Sequence, residues 1–142
     1  MMTKVVNTES ISRRWYTVDA ADMILGRLAG RIAGVLSGKG KVAYSPNQDH
    51  GDHVVVLNSD KIRVSGTKEE MKKYFRHSRY PGGGKTRTFA EQMSMDSTAV
   101  VKHAVKGMLP KTKLGRAMLK KLHVYPGDTH PHSAQQPVPL EW

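Results

Sequence analysis

Residues 52–58, DHVVVLN, contain four consecutive apolar side chains, Val54–Leu57, between polar neighbours. A strand with one solvated face alternates apolar and polar residues, whereas an uninterrupted apolar run is typical of a strand buried on both faces. Strands of this kind occur in parallel sheets that helices cover. The run therefore predicts the central strand of a parallel sheet.

The segment before this strand has the period of a helix. Its apolar side chains recur at i, i+3, i+4, i+7, i+8 and i+11, namely Leu25, Leu28, Ala29, Ile32, Ala33 and Leu36. Asp22 is the expected N-cap, and Gly38-Lys39-Gly40 ends the helix. The β-prone run Trp15–Val18, which ends at Asp19, lies further upstream. A strand, a helix and a buried strand in this order predict a helix packed on a parallel sheet.

The chain after Leu57 contains further strand signals. Lys61–Ser65 alternates and stops at Gly66, which predicts a second, more exposed strand. Residues 72–89 surround the turn formers Pro81-Gly82-Gly83-Gly84 and predict a loosely paired hairpin or a long ordered loop.

Two helices and one more strand follow. Asp96 opens a helix whose apolar period ends before Pro110, and Thr112 is the expected cap of the next helix. His123–Tyr125 is the last predicted strand. The strands and helices together predict one α/β domain over residues 1–142 with a mostly parallel sheet, and residues 1–13 and 128–142 as extended tails.

The composition narrows the range of functions. The 142 residues include 23 Lys and Arg against 12 Asp and Glu, a formal net charge of +11, with a pI near 10.0. Such an excess of positive charge is typical of a protein that binds nucleic acid. The absence of cysteine excludes disulfide scaffolds, cysteine zinc sites, iron–sulfur clusters and cysteine nucleophiles. We expect no membrane span and no secretory signal, and we expect the protein to act in the cytoplasm.

The positive charge is concentrated in two stretches that contain no acidic residue. We call residues 71–90 the hairpin block and residues 97–127 the helical block. A solvated surface normally mixes charges of both signs, so stretches of one sign predict contact with phosphates. The predicted RNA-binding residues of the hairpin block are Lys72, Lys73, Arg76, His77, Arg79, Tyr80, Lys85 and Arg87. Those of the helical block are Lys102, Lys106, Lys111, Lys113, Arg116, Lys120 and Lys121.

The aromatic residues of the hairpin block allow two interpretations. Tyr74, Phe75, His77 and Tyr80 alternate with the cations and could stack on unpaired bases, as RNA exposes in loops and bulges. Tyr74 and Phe75 could instead be core residues of a strand, although strand alternation would turn only one of the two inward.

Two stretches resemble chemical sites without satisfying their requirements. RYPGGGKT, residues 79–86, ends like a phosphate-binding loop, but Arg79 stands where that motif needs glycine. Residues 49–53, DHGDH, offer four metal-ligating side chains, but their spacing matches no closed zinc pattern and these residue types are common in turns. We therefore predict no catalytic residues, no metal and no cofactor.

A longer pattern resembles a known family. Residues 105–110, VKGMLP, are followed by Gly115-Arg116 and then by Leu122, Val124, Tyr125 and Gly127. This pattern is similar to the signature of the large-subunit ribosomal protein thirteen family. LGRLA at residues 25–29 and HSAQQP at residues 132–137 resemble its bacterial branch, and the similarity covers roughly residues 13–137.

The resemblance implies a three-layer α/β/α domain with a four-stranded parallel sheet. It implies a non-catalytic structural constituent of the large ribosomal subunit, which acts early in assembly and contacts ribosomal RNA and neighbouring ribosomal proteins. Two other functions remain open: a nucleotide-dependent RNA-processing factor that uses RYPGGGKT, and a translational repressor that binds messenger RNA.

Overall fold

The computed structural model describes residues 10–141. It contains a four-stranded parallel sheet built from β1 (Trp15–Asp19), β2 (His53–Leu57), β5 (Leu122–Val124) and β6 (Val138–Pro139). The spatial order is β5-β2-β1-β6, so β2 lies inside the sheet, as its valine run predicts. Val54, Val55 and Val56 have no exposed surface. The predicted α/β class with a parallel sheet is confirmed.

The described residues contain the helices α1 (Leu25–Ser37), α2 (Lys68–Met71), α3 (Phe89–Met95), α4 (Ser97–Met108) and α5 (Lys113–Leu119). Helices α1 and α4 cover one face of the sheet, α5 packs on α1, α3 packs on α4, and α2 packs on α3. The inward side chains of α1 and α4 meet those of β1, β2 and β5 in a single aliphatic core. Because α4 and α5 supply Val100, Val101, Val105 and Met118 to this core, the helical block is anchored to the sheet.

The opposite face carries Val55, which is buried there outside the aliphatic core, and a cluster of rings. Trp15 stacks on His53 with ring centroids 4.2 Å apart, and it also contacts His123 and His132. The Tyr125 hydroxyl lies 2.8 Å from Nε2 of His132. The rings come from β1, β2, β5 and the chain between β5 and β6, which includes the 3-10 helix Ser133–Gln135 and connects the two outer strands of the sheet.

The fourth strand differs from the one predicted. Lys61–Ser65 is not a strand: Ser59–Lys61 is a 3-10 helix, and only Arg63 makes an isolated bridge, with Ile24. The apparent alternation arises because Ile62 is buried and Val64 half-buried in a loop beside the start of α1. The fourth strand is β6, which pairs Val138 with Tyr16 inside the predicted C-terminal tail. Most of the predicted N-terminal tail, residues 1–9, lies outside the described residues.

The predicted helix caps are correct in two of three cases. Oδ1 of Asp96 accepts from the backbone N–H groups of Thr98 and Ala99, and Thr112 accepts from Gly115. Asp22 is not the N-cap of α1. It has a positive φ of 58° and forms an ion pair with Arg63, while the carbonyl of Arg63 accepts from the N–H of Leu25. The neighbouring loop thus satisfies the helix end that Asp22 was expected to cap.

Candidate nucleic-acid interface

The hairpin block forms an antiparallel pair outside the main sheet. Strand β3 (Lys73–His77) pairs with β4 (Gly84–Thr88), with Phe75 opposite Thr86. The turn between them is closed by its own backbone: the N–H of Ser78 donates to the carbonyl of Gly83, whose N–H donates to the carbonyl of Tyr80. This confirms the hairpin rather than the long loop.

Strand alternation separates the two adjacent aromatic residues. Tyr74 points inward, and its ring meets that of His103 on α4 edge to face at 5.5 Å. Burial raises the pKa of the Tyr74 hydroxyl. Phe75 points outward and remains 70% exposed. The two interpretations of this pair therefore divide between its members: Tyr74 packs against the core, and Phe75 is free to contact a partner.

A groove of about 790 Å³ lies between the hairpin and helices α3 and α4. Its hairpin wall contains Arg76, Arg79, Lys85 and Arg87. His103 forms part of the opposite wall. The groove thus has cations along one side and, along the other, a helix surface that includes the carboxylate of Asp96.

The two acids between the blocks are committed to helix ends. Glu91 completes a capping box with Thr88: its Oε2 accepts from the Thr88 N–H at 2.9 Å. Asp96 caps α4, and hydrogen bonds from Thr98 are the main reason that its pKa is lowered from 3.8. Each carboxylate also faces the positive end of a helix dipole. The acids therefore stabilise the starts of α3 and α4, while their negative charge remains beside the cations.

The helical block borders a second cavity of about 540 Å³ between α4 and α5. Lys106, Lys111 and Arg116 line it, and His103 contributes to both cavities. The turn between the helices is tight: a Cβ on Gly115 would lie 1.8 Å from the carbonyl oxygen of Pro110. Glycine at position 115 is therefore required for the two helices to bring their cations around one cavity.

The structure places fourteen of the fifteen predicted residues at least partly at the surface. Lys121 is the exception, with 6% exposure. Its ammonium donates to the carbonyl of Leu36 and to the Asp49 carboxylate. Burial lowers the pKa of Lys121, and the Asp49 hydrogen bond opposes this shift. Assigning Lys121 to RNA contact was therefore wrong, because its charge is used inside the protein.

One residue at this interface was not predicted. His103 lies at the junction of the two cavities, three residues before Lys106 on the exposed side of α4. Its helical spacing from Lys106 was a usable signal, since side chains at i and i+3 share a helix face.

The two motif-like stretches serve structural roles. Gly84-Lys85-Thr86 of RYPGGGKT belongs to β4, whereas a nucleotide-binding loop requires a helix to begin there. In DHGDH, Asp49 pairs with Lys121, and Asp52 pairs with Lys41 and accepts from the Arg14 N–H. His50 contacts Ser45 and Gln48 inside the loop. Within residues 10–141, no group of three or more His, Asp or Glu side chains is arranged to hold a metal ion.

None of the helices described in residues 10–141 has the length and apolar character needed to cross a bilayer.

Comparisons with known proteins give a consistent result. Residues 13–131 match the family described as ribosomal protein L13. The chain is 53% identical over 141 residues to the large ribosomal subunit protein uL13 of Nitrosomonas europaea, covering 99% of this chain and 98% of the relative. It is 54% identical to the protein of that name from Chromobacterium violaceum, covering 99% of both chains. The relative from Aquifex aeolicus is 52% identical, with 99% and 98% covered.

Proposed function

The chain belongs to the ribosomal protein L13 family, and from this premise we propose that it binds and stabilises folded ribosomal RNA through the hairpin and helical blocks. It is a structural protein of the large ribosomal subunit and not an enzyme. It therefore works within the ribosome in the cytoplasm, in association with ribosomal RNA and other ribosomal proteins.

The observation that carries the RNA-binding proposal is the arrangement of charge around the two neighbouring cavities. Cations from both blocks border these cavities, and neither block contains an acid. The intervening Glu91 and Asp96 are occupied as helix caps. Because like charges at helical spacing destabilise a helix slightly, a surface of this kind is best stabilised by a polyanion that neutralises it.

We further propose that the protein joins the subunit early in assembly. The helices that present the cations are packed into the aliphatic core through Val100, Val101, Val105 and Met118. The helical part of the surface is therefore formed before RNA arrives and needs little backbone ordering on binding. Mass spectrometry of pulse-labelled assembly precursors tests this timing: the chain should reach full occupancy in the earliest large-subunit precursors, and appearance only in nearly mature particles would contradict early addition.

The salt dependence of binding tests the proposed interface. The full chain is titrated with transcribed large-subunit ribosomal RNA at several salt concentrations. If about six phosphates are neutralised, log K should fall against log salt with a slope of about −4 to −5. A slope near zero would rule out an interface that works mainly through phosphate contacts.

A further inference from the structure

The groove beside the hairpin contains an exposed apolar surface that phosphate contacts alone do not explain. Phe75 is 70% exposed and Met95, on the facing helix α3, is 63% exposed. Both line the groove that also contains Arg76, Arg79 and Lys85. An aromatic ring left in water inside a cationic groove suits a partner that is flat, apolar on its faces and negatively charged along its backbone.

The Phe75 ring is held in place by the hairpin itself. A Cβ on Gly84, across the strand pair, would lie 3.3 Å from Cε2 of Phe75, so the ring rests close to a backbone that has no side chain. His77, two residues along the same strand, has its ring centroid 6.3 Å away at a tilt of 40°. The ring is therefore supported by the hairpin backbone on one side, exposed on the other, and borders the groove.

From this geometry we propose that the groove is a binding site for an unpaired RNA base, which stacks on Phe75 while Arg76, Arg79 and Lys85 contact the flanking phosphates. The proposal rests on the proposed RNA-binding function and assigns a specific part of the RNA to one place. A double-stranded segment does not fit this role, because its bases are already stacked on one another and present only edges and phosphates. An apolar protein partner would leave most of the groove's positive charge unneutralised, because Asp96 is the one acid among the described residues that line it.

The chain offers a matched pair of apolar side chains for the test. Phe75 is 70% exposed and Val42 is fully exposed, but Val42 lies in the loop between α1 and β2, outside both basic blocks, and does not line the groove. Full-length wild type, Phe75→Ala, Val42→Ala and Phe75→Trp are titrated with a single-stranded oligoadenylate and with an RNA duplex that has the same number of phosphates. Thermal melts verify that each variant is folded, as expected for changes at exposed positions.

Phe75→Ala should weaken binding of the single strand by roughly tenfold, the effect of losing one stacked base, and should leave duplex binding unchanged. Val42→Ala should bind both probes like wild type. In Phe75→Trp, the new tryptophan adds its fluorescence to that of the wild-type chain. The single strand should quench this added fluorescence and the duplex should not, since only an unpaired base can stack on the new ring.

Two results would overturn the stacking site. If Phe75→Ala bound the single strand as tightly as wild type does, and the affinity still fell steeply with salt, stacking on Phe75 would be excluded. The proposed RNA-binding function would then stand. If that variant instead bound RNA normally but lost a neighbouring protein from assembled particles, the surface would be a protein contact. Weak, salt-independent binding of wild type to both probes would contradict the proposed function itself.

Discussion

The two basic blocks differ in how the fold supports them. Cations of the helical block lie on α4 and α5, whose inner faces contribute four side chains to the aliphatic core. The hairpin block is a separate two-stranded sheet, and Tyr74 is the member of β3 that packs against that core. One block is therefore built into the domain core, whereas the other contacts it through Tyr74, whose ring meets that of His103, and through Phe89, which follows β4 and is buried.

Equal charge in the two blocks therefore does not mean an equal contribution to binding. A cation on a packed helix loses mainly side-chain freedom when it meets a phosphate, whereas a cation on a two-stranded hairpin, which less core packing holds in place, also requires residual backbone motion to be lost. We therefore expect the helical block to provide most of the affinity. The hairpin, with its exposed aromatic ring, is better suited to fit the local shape of the RNA.

Reversing charge on α5 should have the largest effect. Lys113→Glu, Arg116→Glu and Lys120→Glu together should give a folded protein that fails to enter the large subunit, because a preformed set of cations becomes repulsive. Sedimentation of cell lysates on sucrose gradients with detection of the variant measures incorporation. With purified protein, the slope of log K against log salt should become shallower by about three.

Circular dichroism is the control for this variant, since an unfolded protein would also be absent from the subunit. If the triple variant assembled normally and charge reversal in the hairpin abolished assembly, the proposed ranking of the two blocks would be reversed.

The corresponding change in the hairpin should have a smaller effect. Arg79→Glu with Lys85→Glu should leave partial incorporation into the large subunit and reduce the salt slope by about two. Both side chains lie at the outer end of the hairpin, away from the core, so the melting temperature should stay close to that of wild type. Complete loss of incorporation with an intact melting curve would identify the hairpin as the main anchor.

Adjacent lysines at the end of α5 refine the comparison. Lys121→Met should reduce the free energy of unfolding by about 2 kcal/mol, because Asp49, itself partly accessible, loses its ammonium partner and the Leu36 carbonyl loses a donor. Lys120→Met is the matched control and should change stability by less than about 0.5 kcal/mol while weakening RNA binding. Urea denaturation and RNA titration of both variants distinguish the roles. Equal stability of the two would contradict the internal role of Lys121.

The smallest expected change is a pH effect on the stability of the domain that carries both blocks. It determines the pH at which the two blocks should be compared. Burial lowers the pKa of both His53 and His123 from 6.5, and electrostatic interactions add to the shift, chiefly with Lys121 for His53 and with His132 for His123. The unfolded chain therefore binds more protons than the folded one just below pH 6.5. The stability that the neutral rings provide is present above that pH and is lost as the pH falls through the folded pKa values.

Urea midpoints measured at about pH 7.5 and about pH 5 should show this loss. His53→Phe with His123→Phe should reduce it, since the rings remain and the titrating groups are removed. The lowered pKa values of Asp19 and Asp96 act in a different window, below about pH 4, and leave this range unaffected. A wild-type midpoint that is independent of pH between the two values would contradict the assignment.

Much of the fold was predictable because its central elements are strongly patterned. The valine run and the periodic helix before it need no information from elsewhere in the chain, since the run is buried throughout and the helix is buried along its apolar face. Prediction fails where a short segment depends on a distant partner. Val138–Pro139 has no strand pattern of its own and becomes β6 because the edge of β1 is free to accept it. Lys61–Ser65 has the alternating pattern of a strand, but in the described residues no neighbouring strand runs along it, and it forms one isolated bridge instead.

The candidate site shows the same division. Counting charges located both blocks, because an acid-free stretch is a property of the sequence alone. Counting charges does not distinguish Lys120 from Lys121, because their different environments arise only in the folded chain. There α5 ends, and the chain turns so that Lys121 reaches Asp49 and Leu36. It also could not place His103 between two cavities that only the folded chain forms.

The short strand β6 has a consequence for the protein before it meets any partner. An unpaired strand edge is a template for aggregation through strand addition, and β1 exposes such an edge until residues 138 and 139 arrive from the far end of the sequence. Contacts so distant in sequence form late in folding. Once in place, Pro139 has no N–H to offer a further strand, so β6 closes that edge of the sheet against association with other copies.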